Sequence, residues 1–283
     1  MFKKVRPELW LIAPLLLLIG VFFLLPYVNM IVTSFMSTST VAPFEPPVTL
    51  QNYIGVLTDP FNWAVIGRTV LLATVTTVIT LVIGFPVAYH MARASGRAKS
   101  IYLILVISPL LVGVIVRTYG WIVILADRGV INNTLQSWGV GEPLHLMYNA
   151  FGVTVGMIHI YLPFLILPLA SRLASITPDL ELAAHGLGAG PVRTFLRVVW
   201  PMSLPGVFAG TVVVWILAAS AYVIPALLGG NQVITTPMLV VQSILDQGNW
   251  PLGTAQAAVL FVVMAVVVGA YAAFMSRVTR KLG

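Results

Sequence analysis

The chain has 283 residues, of which 15 are Lys or Arg and 8 are Asp or Glu. Charged residues therefore make up 8% of the chain, where a soluble domain has about 25%, and hydrophobic residues make up 59%. This composition excludes an ordinary water-soluble protein and indicates that lipid surrounds much of the chain. The absence of Cys excludes disulfide frameworks, thiolate metal sites and iron–sulfur ligation.

Six apolar stretches are long enough, at about 20 residues each, to cross a bilayer as helices. They cover about residues 10–30, 69–89, 101–125, 151–170, 207–228 and 254–274. The third contains one charged residue, Arg117, in its outer part. Because both Pro205-Gly206 and Gly229-Gly230 interrupt a long uncharged region, we place the fifth span between them. We predict an all-α polytopic membrane protein with six transmembrane helices in a single transmembrane domain over residues 1–283.

The basic residues lie mostly on one side of the predicted membrane. If the N-terminus is inside, only Arg68, Arg117 and Arg128 fall outside, and 12 of the 15 lie in inner segments. The inner residues are Lys3, Lys4, Arg6, Arg93, Arg97, Lys99, Arg172, Arg193, Arg197, Arg277, Arg280 and Lys281. Since basic residues favour the cytoplasmic side, we expect both termini in the cytoplasm and the first apolar run to be a retained anchor. These residues form no continuous patch, so we expect no nucleic-acid partner.

The inner loop at about residues 172–205 has the pattern of two short helices joined by glycines. Thr177 can cap the first helix and Pro178 suits its first position. Asp179 and Glu181 follow in the first turn, where carboxylates oppose the positive end of the helix dipole. Small and apolar residues then recur at helical spacing and leave one apolar face, made of Leu180, Ala183, Ala184 and Leu187.

Glycines end this first helix, and a second helix follows. The glycines are Gly186, Gly188 and Gly190, and Pro191 begins the second helix, which we expect to end at the membrane interface around Trp200, Pro201 and Pro205. On periodicity alone, such a pair is an interfacial helix, loop filler or a docking element for a partner.

The loop resembles the cytoplasmic EAA motif of ABC importer permeases, which forms a coupling helix. The matching positions are Ala183, Ala184, Leu187, Gly188, Ala189, Phe195, Val198, Pro201, Pro205 and Gly206. Aligned in this way, the Glu of the family falls on Leu182, and Glu181 lies one residue earlier. The resemblance extends along most of the chain to the spermidine/putrescine-type subfamily. It is carried by LQNYIGVLTDP at 50–60, GFPVAYHMAR at 84–93, VRTYGWIVIL at 116–125, GVINNTL at 129–135, YLPFLILPL at 161–169 and QGNWPLGTAQA at 247–257.

This resemblance implies a type I ABC importer permease for a small solute, most often a polyamine or related amine. It implies four kinds of partner: a cytoplasmic ABC ATPase dimer that holds ATP and Mg²⁺, a second and different permease subunit, an extracytoplasmic solute-binding protein and the lipid bilayer. It also implies ATPase-coupling roles for Asp179, Glu181, Ala183, Ala184, His185, Gly188, Ala189 and Arg193. No Gly-Lys pair exists in the chain, so a phosphate-binding loop of the G-x-x-x-x-G-K-[ST] type is absent.

Within this coupling loop, Gly188 is the residue for which we state a specific hypothesis. Its lack of a side chain permits either a close approach of the ATPase or a left-handed turn. A bulky replacement is expected to uncouple ATP hydrolysis from transport without preventing membrane insertion.

The substrate path has weaker signals. A cationic amine is held by carboxylates and aromatic faces, which makes candidates of Asp246 with Trp250, and of Asp127 with Tyr119 and Trp121. Each is alternatively an ordinary interface residue, with Arg128 as a local partner for Asp127.

Other classes of function have less support in the sequence. The four His residues lie on separate segments, and no catalytic or metal-binding constellation is present, so we expect neither enzyme activity nor a resident cofactor. The alternatives are an ion-coupled secondary transporter, which would need acidic or broken-helix sites near the midplane, and an inert scaffold.

Overall fold

The computed structural model of the chain describes residues 8–39, 44–139 and 141–280. These residues are almost entirely helical, and their only β pairing is an isolated bridge between Ser37 and Glu45. Four residues that entered the orientation argument lie outside the described ranges, namely Lys3, Lys4, Arg6 and Lys281. The chain forms two compact units, one of Met1–Trp63 with Leu239–Phe261 and one of Ala64–Met238 with Val262–Gly283.

The first unit begins with one long apolar helix. It comprises α1 (Glu8–Ile19), a π-helical turn (Gly20–Leu24) and α2 (Leu25–Ser34). Its apolar part, Pro14–Ser34, is long enough to cross a membrane, and the other described residues bury none of its most apolar stretch. Lipid or another protein must therefore cover these side chains.

Short helices complete the first unit. Helix α3 (Gln51–Thr58) is tied to the end of α2, because Asn52 Nδ2 donates to the carbonyl oxygens of Ser34 at 3.0 Å and Met36 at 2.9 Å. The chain returns to this unit through α12 (Thr236–Val241), a π-helical turn (Gln242–Asp246) and the first part of α13 (Trp250–Arg280). Ser243 Oγ donates to Gln256 Oε1 at 3.0 Å and joins the turn to α13.

The second unit contains most of the remaining helices. In chain order these are α4 (Pro60–Arg93), α5 (Gly96–Ile107), a 3₁₀ turn (Ser108–Leu111), α6 (Val114–Leu125), α7 (Val130–Ser137), α8 (Ala150–Ala174), α9 (Pro178–Gly186), α10 (Pro191–Thr194), a π-helical turn (Phe195–Val199) and α11 (Trp200–Ala219). A π-helical turn (Pro225–Gly229), a 3₁₀ turn (Gly230–Gln232) and the rest of α13 complete the unit.

Helices α8 and α11 form the centre of this unit, and glycines bring them close together. A Cβ at Gly210 would lie 3.1 Å from the carbonyl oxygen of Leu165 and 3.2 Å from its Cα. One turn earlier, a Cβ at Gly206 would lie 2.6 Å from Cβ of Arg172. Small residues four apart let two membrane helices approach until their backbones touch, which gains van der Waals contact that lipid cannot supply.

The predicted spans agree with the structure in approximate position, with two differences. Among the described residues five helices are of span length, and the predicted third span corresponds to the pair Gly96–Leu111 and Val114–Ser137, which is bent by 97° at a short break. The bend lies between Pro109 in the 3₁₀ turn and Gly113 at the N-cap of α6. Sequence patterning predicted this region, about 101–125, as one uninterrupted helix.

The fifth span is the second difference. The expectation that a helix ends around Trp200, Pro201 and Pro205 is wrong, because a continuous helical segment runs from Pro191 to Ala219. Pro201 lies where the π-helical turn Phe195–Val199 passes into α11, and Pro205 lies inside α11. A membrane helix tolerates such prolines because neighbouring helices, side chains and local π-helical adjustments satisfy the backbone groups that the prolines leave free.

Candidate coupling site

Helix α9 has the beginning that its sequence predicts. Pro178 is the first helical residue, and Asp179 and Glu181 lie in the first turn. Thr177 occupies the N-cap position with extended backbone, but its side chain makes no capping hydrogen bond. Its backbone carbonyl instead accepts from the N–H of Leu180 at 3.2 Å. The proline therefore defines this start more than the threonine does.

The end of α9 is a Schellman motif centred on Gly188. The N–H of Ala189 donates to the carbonyl of Ala184 at 3.0 Å, and the N–H of Gly188 donates to the carbonyl of His185 at 2.9 Å. Gly188 has φ 82°, in the left-handed region, and nothing lies within 4 Å of a Cβ built there. Of the two reasons proposed for a glycine, the left-handed turn is therefore the one observed within the chain. Gly186 and Gly190 have no positive φ.

Glu181 faces into the protein. Its Oε2 accepts from the Tyr89 hydroxyl at 2.6 Å, and its Oε1 forms a close ion pair with the guanidinium of Arg93. The side chains of Glu181 and Arg93 are 16% and 20% exposed. Partial burial alone would raise the pKa of Glu181, but the hydrogen bonds from Tyr89 and Arg93 and the positive charge of Arg93 outweigh it, so the pKa lies below its ordinary value.

Arg93 connects this carboxylate to a second helix end. Its Nη1 donates to the carbonyl oxygens of Leu173 at 3.1 Å and Ile176 at 2.9 Å. These carbonyls belong to the C-terminal end of α8 and the residues just beyond it, where the intrahelical donors have run out. One arginine therefore joins the last turn of α4, the end of α8 and the start of α9.

The rest of the α9 surface is exposed and carries three large apolar side chains. Leu182 is 65% exposed, Leu187 is 90% exposed and Leu180 is 40% exposed. The other predicted coupling residues divide between exposed positions, which are Asp179, Ala183, His185, Gly188 and Arg193, and half-buried ones, which are Ala184 and Ala189. His185 Nδ1 lies 2.9 Å from the carbonyl of Ala189 and reinforces the end of the helix.

Sequence reasoning missed Arg93 and Tyr89. Both lie in the GFPVAYHMAR segment, and their meeting with Glu181 depends on residues 88 and 92 positions apart in the chain. The available signal was charge: Asp179 and Glu181 are the acids of the predicted inner loop, among many inner basic residues. That signal indicates a pairing without identifying the partner.

The candidates for the substrate path fall into the two units. In the second unit, Tyr119 is 55% exposed, and Trp121 donates through Nε1 to His159 Nδ1 at 3.2 Å. The expected pairing of Asp127 with Arg128 is wrong, because Asp127 Oδ1 instead lies 3.3 Å from Nδ1 of His145. The loop after α7 brings His145 back to Asp127, a contact that adjacency in the sequence does not reveal.

Asp246 and Trp250 belong to the first unit. Asp246 ends the π-helical turn and is exposed, and Trp250 begins α13 with 43% of its surface exposed. The carboxylate of Asp246 makes no hydrogen bond or ion pair with any residue that the structure describes. It is therefore free to bind a group from outside the chain.

Arg117 is a charged residue within the bent third span. Its Nε and Nη1 atoms are buried without a hydrogen-bond partner in the described part of the chain. It lies one helical turn before Trp121 and is close enough to Tyr161 and His159 to interact with them electrostatically. The surface around Trp121 and His159 therefore carries a positive charge.

Comparisons with known proteins agree with this architecture. The sequence profile of the family described as "Binding-protein-dependent transport system inner membrane component" matches residues 77–281. The chain is 30% identical over 251 residues to the spermidine/putrescine transport system permease protein PotB of Haemophilus influenzae, covering 88% of this chain and 87% of that protein.

Two solved structures share the fold. One is a bacterial ABC transporter involved in the import of the acidic polysaccharide alginate, with a TM-score of 0.77 at 15% identity, covering 97% of this chain and 95% of the other. The second is a bacterial alginate ABC transporter in complex with an alginate pentasaccharide-bound periplasmic protein, with a TM-score of 0.74 at 16% identity, covering 96% and 94%.

Proposed function

The chain belongs to the family of binding-protein-dependent transport system inner membrane components, and from that premise we propose that its solute is a polyamine or a related small amine. It is a multi-pass inner membrane protein and the permease subunit of an ABC importer, which is a transport subunit and not an enzyme. Family membership also favours this function over an ion-coupled secondary transporter. The observation that supports an amine is the 30% identity to PotB over most of both chains.

The charge distribution limits the positions at which this chain could bind an amine. The five helices of span length contain no Asp or Glu, so a carboxylate ligand must come from the segments between them. A cation held against Trp121 or Tyr119 would be repelled by Arg117 on the same helix, and Asp127 is already occupied by His145. Asp246, which has no bond to a described residue and lies four residues before the exposed Trp250, is the better candidate.

The proposed complex contains this chain and three other kinds of protein. A cytoplasmic ABC ATPase dimer binds ATP and Mg²⁺ and contacts α9, a second and different permease subunit covers exposed apolar helix surface, and an extracytoplasmic protein delivers the solute. Both termini of this chain lie in the cytoplasm, and residues 1–283 act as one transmembrane domain. The exposed apolar face of α9 and the uncovered stretch within Pro14–Ser34 support these contacts.

Uptake by the reconstituted complex tests the proposal. The chain would be expressed with its neighbouring genes, placed in proteoliposomes and assayed with labelled putrescine and spermidine. ATP-dependent uptake is expected, and it should stop when the phosphate-binding lysine of the partner ATPase is replaced. Uptake driven by an ion gradient without ATP would contradict the importer mechanism. ATP-dependent uptake of another solute, with no competition by amines, would contradict the amine alone.

A pair of variants tests the binding residue. Asp246→Asn should raise KM for the amine about tenfold or more, because a hydrogen-bonded or paired charge contributes about 1.5–3 kcal/mol. Asp127→Asn is the matched control, since its carboxylate is engaged by His145, and KM should change little. Unchanged uptake by Asp246→Asn would remove Asp246 from the path.

A further inference from the structure

Glu181 is the acid nearest to the position of the Glu in the family's EAA motif. It is nevertheless not available to bind a partner protein. Both of its oxygens are bonded within the chain, to Tyr89 and to Arg93. Its side chain is mostly buried, whereas the neighbouring Leu182 is 65% exposed. Since successive helical residues are about 100° apart around the axis, an inward Glu181 leaves Leu182 pointing away from it.

Arg93 holds Glu181 in a rigid setting. The same guanidinium donates to the carbonyl oxygens of Leu173 and Ile176, and it lies 5.4 Å from the centre of the Tyr89 ring. A planar guanidinium that serves a carboxylate and two carbonyls has little freedom to rotate. A displacement of α9 must therefore move the ends of α4 and α8 or break these bonds.

We propose that Glu181 is a positioning residue: with Arg93 and Tyr89 it fixes α9 to the ends of two membrane helices, so that movement of α9 is transmitted to α4 and α8. The ATPase contacts the exposed surface of α9, which includes Leu182 within the helix and Leu187 at its C-cap. This inference rests on the proposed function, since it concerns how the ATPase drives this permease. The proposal assigns the transmission of movement to Glu181 and the contact with the ATPase to the exposed residues of α9.

The first test compares Glu181→Gln with the control Glu142→Gln. Glu142 is an exposed acid between α7 and α8, and it has no bond to a described residue. The purified complexes would be assayed for the amount of ATPase bound and for solute taken up per ATP hydrolysed. For Glu181→Gln we expect bound ATPase to stay within about twofold of wild type and uptake per ATP to fall about tenfold or more, the scale for a hydrogen bond between charged groups. Glu142→Gln should change neither.

A double-mutant cycle tests whether Glu181 acts through Arg93. If the two residues form one unit, the double variant Glu181→Gln with Arg93→Gln should lose no more uptake per ATP than the worse single variant. Tyr89→Phe removes only one hydrogen bond and serves as a milder variant if Arg93→Gln fails to fold. It should lower uptake per ATP without releasing the ATPase.

Cysteine labelling tests the other side of α9. Because the chain has no Cys, a single cysteine at Leu182 or Leu187 can be labelled without background. Both positions should react with a maleimide in the permease alone and be protected in the complex with the ATPase.

Three results would overturn the inference. They are loss of bound ATPase in Glu181→Gln but not in Glu142→Gln, unchanged coupling in Glu181→Gln, and independent, multiplying losses in the double variant. If wild-type permease itself bound no ATPase, the proposed function would fail instead, so the two failures are distinguishable.

Discussion

Gly188 allows a quantitative prediction because its conformation and its surroundings are both defined. Its φ of 82° is one that residues with a Cβ adopt at a cost of about 1–2 kcal/mol. Within the chain a side chain at this position meets nothing within 4 Å, so backbone strain is the whole intramolecular cost. That cost lowers the equilibrium constant for forming the Schellman end by a factor of about 5–30.

A graded series of variants separates strain from crowding. Gly188→Asn should be mild, because Asn adopts the left-handed region more readily than other residues, while Gly188→Ala and the β-branched Gly188→Val should be progressively worse. Gly186→Ala is the matched control two residues away, since Gly186 has no positive φ and open space around it. It should retain wild-type activity.

The assay is ATP-dependent uptake by proteoliposomes, with ATP hydrolysis measured on the same sample. We expect uptake to fall in Gly188→Ala, by at most about 5–30-fold, while the variant still inserts and the complex still hydrolyses ATP. Equal activities of Gly188→Ala and Gly186→Ala would refute the reasoning. If Gly188→Asn were as damaging as Gly188→Val, crowding against the docked ATPase would be the cause and backbone strain would not.

Three further predictions concern packing, charge and docking. Gly210→Ala should destabilise the protein by about 1–3 kcal/mol and lower its thermal unfolding temperature in detergent, because its Cβ would press on the backbone of Leu165; Gly269→Ala, which has open space, should not. The pKa of Glu181 in the folded state lies below its value in the unfolded state. The Glu181 carboxylate therefore stabilises the fold above the unfolded-state pKa, and this stabilisation is lost as the pH falls through the folded-state pKa. Glu181→Gln should accordingly flatten the acid side of a profile of stability against pH. Leu187→Glu should reduce the ATPase that co-purifies with the permease while membrane insertion is unchanged, and undiminished co-purification would argue against docking at this face.

Sequence reasoning located the coupling helix accurately but could not orient its side chains. Pro178, the early acids and the glycines define its start and end through local rules, and the structure follows them at Pro178 and Gly188. Which acid turns inward depends on the rotation of α9 against α4 and α8. That rotation is set by Arg93 and Tyr89, which are distant from α9 in the sequence. Alignment to the motif therefore identified position 182 as that of the family's Glu, but it did not show that Glu181 is the acid bonded within the chain.

The sequence by itself determined that the chain is embedded in a membrane, how many spans it has and where its principal inner loop lies. These properties follow from the length of apolar runs and the placement of charges, which are local and additive. The tertiary structure decided the 97° bend of the third span, the continuity of Pro191–Ala219 and the convergence of three helix ends on Arg93. These features depend on which helices pack against each other. A backbone carbonyl or a carboxylate with little access to water needs a hydrogen-bond donor, and the neighbouring helix supplies it.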